Sequence, residues 1–335
     1  MRKEVFDDRE RTAEVIMTNT SDPFKTLFGP VWDGAGVRGF SGEGYWYHKL
    51  VPGLNFTGST FVSKTITTYG TKGNMELTSD YRPKRFVPDC IHVDWRGKQA
   101  LNVINLSGPA VNEFLDTRRW QSIQEPFLIS FMPVLSEDHG LHASEVSHFV
   151  GIVKTHQKEF KTSALGIQLN ITCPNANVYL PALLNKAVPL VKELQRLGLP
   201  MAIKLNLLVP PEAAARIAGE TGCAITIANT IPFGEVLSKS WWDTAFPNGS
   251  PLKKRGYLPG GLSGKMLLPR VADWVDEFRR YDTVTHVNAG GGILHPDDVH
   301  VLADAGASSI FFASVAMIRP WLVRSIIERG HKLLG

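Results

Sequence analysis

From Phe127 onward the chain alternates between short apolar runs of strand length and longer segments with helical apolar spacing. That alternation restricts the fold more than any other feature. Phe127–Met132, Ala164–Asn170, Pro200–Leu207, Cys223–Ala228, Thr285–Asn288 and Ser309–Phe312 read as strands. Between them, Ser144–Phe160, Pro181–Leu197, Pro211–Gly219, Pro269–Tyr281, Pro296–Ala305 and Pro320–Leu334 read as helices. Ser144 is placed to cap its helix at the N-terminus, Gly198 to end the second helix, and Pro211 in the first turn of the third. A strand followed by a helix and another strand is a crossover, and repeated crossovers imply a parallel sheet.

Upstream, Thr60–Thr67 and Leu101–Leu106 add two strands, and the neighbourhood of Val31 supplies the first. About eight strands favour a closed (β/α)8 TIM barrel over an open doubly wound sheet. Residues 1–30 are then an N-terminal extension and residues 31–335 one barrel domain. The barrel carries a long insertion, Ile231–Gly264, after the Cys223–Ala228 strand. It is rich in Gly, Pro and Trp, and long connections in compact domains are usually functional. In the first sixty residues, Trp32, Phe40, Tyr45, Trp46 and Tyr47 crowd a glycine-rich segment. They are expected to form an aromatic plug under a barrel end, or an oligomer contact.

A chain of 335 residues with 43% hydrophobic and 20% charged residues has ample material for one large core. The formal net charge of +4 suits an anionic ligand, but the basic residues are scattered, so nucleic acid is not expected as a partner. Three cysteines without metal-ligand spacing point to a reducing, cytosolic compartment. Met1–Glu14 is dominated by charge and reads as neither signal peptide nor anchor, and no apolar run approaches the ~20 residues of a membrane span.

In such a barrel the chemistry collects at the C-terminal ends of the strands. Those positions offer Lys64, Asn102, Asn105, Asn170, Cys173, Asn175, Lys204, Asn229 and Thr230. Pro174 removes a backbone donor and keeps Cys173 out of helical geometry, so the strand before it must end there. Taken singly, an asparagine at a strand end is a turn residue and a cysteine a small buried hydrophobe. Lys204 is different, since it interrupts an apolar strand and a buried lysine needs an anion or an acceptor. Gly290-Gly291-Gly292 after the penultimate strand and Ala313-Ser314 after the last match a phosphate cradle. No metal-ligand cluster and no Ser-His-Asp order is suggested. His139, His142, His286 and His295 read as residues at the surface or behind the site. Primary amides can donate to and accept from an imide-like edge, and a thiol can act as a general base. None of these groups accepts a hydride, so redox chemistry needs a cofactor, which the phosphate site could hold.

These residues resemble the dihydroorotate dehydrogenase family. The resemblance runs from about Trp32 to the C-terminus. It rests on Ser63-Lys64-Thr65, Asn102-Val103-Ile104-Asn105-Leu106, Asn170-Ile171-Thr172-Cys173-Pro174-Asn175, Ile203-Lys204, Asn229-Thr230, Gly260-Gly261-Leu262-Ser263-Gly264, Gly291-Gly292-Ile293 and Gly306-Ala307. It implies FMN-dependent oxidation of dihydroorotate to orotate in pyrimidine biosynthesis. Cys173 would be the base that takes the C5 proton, and the C6 hydride would pass to N5 of FMN. Lys64, Asn102, Asn105, Asn170, Asn175, Asn229 and Thr230 would hold the substrate. Lys64, Asn170, Lys204, Gly261, Gly291, Gly292, Ala313 and Ser314 would hold the cofactor. A cysteine base resembles the soluble classes, which implies a cytoplasmic protein that is either a homodimer or paired with a separate electron-transfer subunit. The acceptor, whether fumarate, NAD or a quinone, is left open.

The chain departs from the family pattern in several places. Asn105 stands where the family usually has glycine, Thr172 where it has serine, and Ala313-Ser314 where Gly-Thr or Tyr-Thr is common. Asn105 would either crowd the substrate or add a hydrogen bond to it. Two other readings therefore stand beside the first. One is a related FMN oxidoreductase acting on another reduced pyrimidine or an enone-like compound. The other is a non-redox flavin- or phosphate-binding barrel.

Overall fold

A computed structural model describes residues 22–134, 139–171 and 180–335. Helix α1 (Pro23–Phe28) leads into strand β1 (Val31–Asp33) and then β2 (Phe61–Val62). An antiparallel hairpin follows, β3 (Ile91–Asp94) and β4 (Gln99–Asn102), then α2 (Val111–Asp116). The alternating core is β5 (Phe127–Phe131), α3 (His139–His156), β6 (Leu165–Asn170), α4 (Leu180–Leu194), β7 (Met201–Leu205), α5 (Pro211–Thr221) and β8 (Ala224–Ile227). The long insertion holds β9 (Ile231–Pro232), α6 (Lys239–Ala245) and β10 (Gly261–Gly264). The chain ends with α7 (Leu267–Tyr281), β11 (Val287–Ala289), α8 (Asp298–Asp304), β12 (Ser309–Phe312), α9 (Val315–Ile318) and α10 (Val323–Leu334).

Eight strands form one parallel sheet in the order β1-β12-β11-β8-β7-β6-β5-β2. A parallel bridge between Trp32 and Thr60 joins its two ends, so the sheet closes into a barrel. The strands are buried on both faces, which is why β5, β7 and β8 read as nearly continuous apolar runs. Helix α7 buries Leu267, Val271, Trp274, Val275 and Phe278, the one-sided spacing of a helix lying on a sheet. Gly198 and Gly222 take left-handed conformations after α4 and α5 and end them, as expected for Gly198.

The structure corrects several expectations. Leu101–Leu106 is not a barrel strand. Its ordered part, β4, belongs to a separate antiparallel sheet with order β3-β4-β10-β9. Apolar periodicity identifies a strand but not its partner. Of Thr60–Thr67 only Phe61 and Val62 form a regular ladder. The chain then follows β5 through Ser63 N–H to the Leu128 carbonyl (2.9 Å) and Ile66 N–H to the Ser130 carbonyl (2.9 Å). Ser144 does not cap α3, which starts five residues earlier.

The aromatic plug holds for Trp32 alone among the residues expected there. Trp32 packs with Phe24 and Phe28 of α1 and with Val62, Leu128, Ala202, Ala224 and Phe311 across the barrel floor. A side chain on Gly166 of β6 would stand 2.7 Å from the Phe28 ring, so glycine there makes room for the plug. His286 is not at the surface. It is buried in this floor, stacked on Trp32 at 5.7 Å, with Nδ1 facing Asp22 at 2.5 Å and Nε2 facing the Ser309 hydroxyl at 2.7 Å. His295 is exposed as expected, and the side chains of His139 and His142 lie outside the described residues.

Candidate active site

At the C-terminal ends of the barrel strands a cavity of about 440 Å³ opens under the antiparallel sheet. Lys64, Asn102, Asn105, Asn170, Lys204, Asn229, Thr230, Gly291, Gly292, Ala313 and Ser314 all line it. The structure thus brings together eleven of the fourteen residues proposed from the sequence. Gly261 is not among them: it sits in the antiparallel sheet, paired with Asn102 and Pro232, and Ser263, two residues on, lines the cavity instead. Cys173 and Asn175 lie outside the described residues.

The polar floor is built by strand register. Asn170 at the end of β6 lies beside Lys204 of β7. Asn229, just after β8, donates from Nδ2 to Asn170 Oδ1 at 2.9 Å. Asn170 Nδ2 in turn donates to the Thr65 hydroxyl at 3.3 Å, and that hydroxyl is 2.9 Å from the Ser130 hydroxyl. The Asn229 carbonyl oxygen Oδ1 accepts from Thr230 N–H at 3.1 Å. Asn170 and Asn229 are both over nine-tenths buried, so this chain of amides holds each member in one orientation.

Two lysines supply the charge. Lys64 Nζ donates to the Ser107 carbonyl at 2.5 Å and stands 5.1 Å from the centre of the Phe40 ring. Lys204 Nζ stands 5.6 Å from the centre of the Phe311 ring. No aspartate or glutamate lines the cavity among the described residues, so the field inside it favours an anion. On the far side the chain turns through Gly290-Gly291-Gly292. A side chain on Gly290 would stand 2.1 Å from the Phe311 carbonyl oxygen, and one on Gly292 2.7 Å from Leu268 N. Only glycine lets this turn pass between β12 and α7. Ala313 and Ser314, just before α9, line the same cavity.

Sequence reasoning missed the mouth of the cavity. Tyr45 and Tyr47 do not plug the barrel floor but line this opening, with Phe86, Trp95 and Trp321. Burial drives both phenols to stay protonated well above the usual tyrosine range. The connectivity carried a signal for them, because the loop after β1 must emerge on the same face as every other βα loop. Thr65, next to Lys64, was also missed. Cys90 and Cys223 are buried, and burial pushes each thiol up to about 11, so neither ionises near neutral pH.

Asp33, at the end of β1 below the loop that carries Ala35 and Gly36 into the cavity, is fully buried. Its carboxylate accepts from Val62 N–H at 2.7 Å and pairs with Arg38. Burial outweighs both partners and pushes the carboxyl up to about 6.

A scan against protein-family models finds no match, and a search of curated proteins finds none either. Among solved structures, the crystal structure of DHODH in complex with ferulenol from Eimeria tenella is similar. It aligns over 100% of this chain and 93% of that chain, with a TM-score of 0.63 and 16% sequence identity. The two chains share a fold. The (β/α)8 barrel expected from the strand-helix alternation is therefore found both in the strand order and in this comparison. Among the described residues no helix is long and apolar enough to cross a membrane.

Proposed function

We propose that the chain is an FMN-dependent oxidoreductase that converts dihydroorotate to orotate. The observation that carries this reading is the convergence, among the described residues, of two lysines, four asparagines and the glycine turn on one cavity at the C-terminal face of the barrel, with no acidic residue among those lining it. The residues present fit a flavin mononucleotide. Gly291, Gly292, Ala313 and Ser314 would take its phosphate on backbone N–H groups, which needs a turn that no side chain obstructs. Lys204, with Lys64 and Asn170, would hold the flavin ring and favour negative charge on it. Bound FMN would supply the two-electron acceptor that no side chain offers.

The rest of the chemistry belongs to the chain. Lys64, Asn102, Asn105, Asn170, Asn175, Asn229 and Thr230 would orient a planar anionic ring, with Lys64 meeting its carboxylate. The hydrogen-bonded pair Asn170–Asn229 presents its remaining amide groups in a fixed direction, which limits the ring to one pose. Cys173, at the end of the Asn170 strand, would take the C5 proton on Sγ. In the cell the chain would work in the cytoplasm, as a homodimer or with an electron-transfer subunit.

The test is to mix FMN-loaded protein anaerobically with dihydroorotate and follow the visible flavin absorbance. Bleaching with formation of orotate is expected, and Cys173→Ala should keep FMN yet lose most of the bleaching rate. Full FMN occupancy without bleaching would exclude dihydroorotate and favour a related reduced pyrimidine. Protein that does not retain FMN would sink the flavin reading.

A further inference from the structure

Asn105 has a left-handed backbone, with φ of +57°. Glycine adopts this conformation freely, asparagine tolerates it, and most other residues are strained there. A turn alone therefore explains either residue. What distinguishes Asn105 is how its loop is held. The carbonyls of residues 103, 104, 106, 107 and 108 all accept hydrogen bonds from the chain behind the loop. Asn74 Nδ2 donates to Val103 O at 2.7 Å, and Asn74 N–H to Ile104 O at 3.0 Å. The Thr71 hydroxyl donates to Leu106 O, Lys64 Nζ to Ser107 O at 2.5 Å, and Thr71 N–H to Gly108 O at 2.9 Å.

The carbonyls on either side of Asn105 are thus committed to the scaffold, and Asn105 lines the cavity from this loop. Its amide makes no hydrogen bond to any described residue. A turn clamped at five carbonyls fixes where that amide is offered, which is the condition for reading a ligand rather than yielding to it.

We propose that Asn105 is a specificity-determining residue that pairs its side-chain amide with a cyclic-amide edge of the substrate, a ring N–H beside a ring C=O. A primary amide presents one N–H and one C=O in a plane, and such an edge presents the complementary set, so two hydrogen bonds form together. A glycine at this position would leave the edge to solvent. The inference rests on reading the cavity as a substrate site and deepens that reading by naming the edge the site selects.

The test compares the wild type, Asn105→Gly and Asn105→Ala, each as purified and loaded with FMN. Thermal melting reports the turn, and calorimetric titration with orotate, 1-methylorotate and 3-methylorotate reports the edge. Asn105→Gly should melt at or above the wild type, and Asn105→Ala below it. The glycine variant should bind orotate about tenfold more weakly or worse. One N-methyl isomer should bind the wild type at least about tenfold more weakly than orotate does, yet bind the glycine variant almost as well as orotate.

Wild-type affinity for orotate in the glycine variant would overturn the proposal. So would an equal loss for all three ligands. If the wild type ignores orotate, uracil and its N-methyl derivatives replace it, and no binding by these rings either would also overturn the proposal. FMN retention is read separately from the visible spectrum. Its loss would remove the flavin reading, while the titrations on the same protein still decide the role of Asn105.

Discussion

The pair Asn170–Asn229 makes a measurable prediction about how the floor of the cavity is held. Replacing Asn170 by leucine keeps its branched shape but removes the acceptor of the 2.9 Å bond from Asn229 and the 3.3 Å donation to Thr65. Asn229 is 8% exposed, so water in the cavity replaces only part of the lost bond. A stranded buried donor costs about 1–3 kcal/mol, and we expect about 2 kcal/mol for Asn170→Leu. Asn229→Leu strands the Asn170 carbonyl oxygen and the Thr230 N–H, and should cost about the same. In the double variant neither amide is left facing an absent partner. The loss should then fall short of the sum by about 1 kcal/mol, the coupling of residues in direct contact. Urea denaturation of all four proteins, without ligand, closes the cycle. Single losses that add to within about 0.3 kcal/mol would show that the two amides do not share a bond worth counting, and the fixed floor would go with it.

Two further predictions concern the charged groups around the cavity. Lys204→Ala should lower the flavin-to-protein ratio that survives gel filtration, or slow flavin reduction, because the site loses one of the two lysines that line it among the described residues; unchanged occupancy and rate would remove its assigned role. Asp33 sets a pH dependence of stability. Its folded value, about 6, lies above the unfolded 3.8, so the folded state holds the proton more tightly. Its contribution is therefore full below about pH 4, is lost as pH rises through 6, and differs between the two limits by roughly 3 kcal/mol. Asp33→Asn can still accept from Val62 N–H and should flatten that limb of the stability curve. An identical pH profile in the variant would show that Asp33 does not titrate there.

What was legible in the chain follows from what chain order transmits. Strands buried on both faces announce themselves as apolar runs, and the run Ser309–Phe312 coincides with β12 at both ends. Once the alternation implies a barrel, each strand's last residues inherit a position at one face. That is why Lys64, Asn170, Lys204 and Asn229 could be collected without knowing any contact between them.

Pairing is transmitted less well. Leu101–Leu106 has the composition of a barrel strand, and only the turn Trp95–Lys98, with Gly97 in it, marks β3 and β4 as a hairpin. Conformation and side-chain direction in loops are transmitted least. Nothing in the order of residues 102–108 tells that Asn105 is left-handed, or that five neighbouring carbonyls are taken up behind it. The same holds for Tyr45 and Tyr47, whose aromatic neighbourhood suits a barrel floor as well as a cavity mouth. Strand ends are placed by the barrel's own geometry and loops by contacts made after it closes. Reaction type would therefore be read from the first, and substrate choice, which the proposal above assigns to Asn105, from the second.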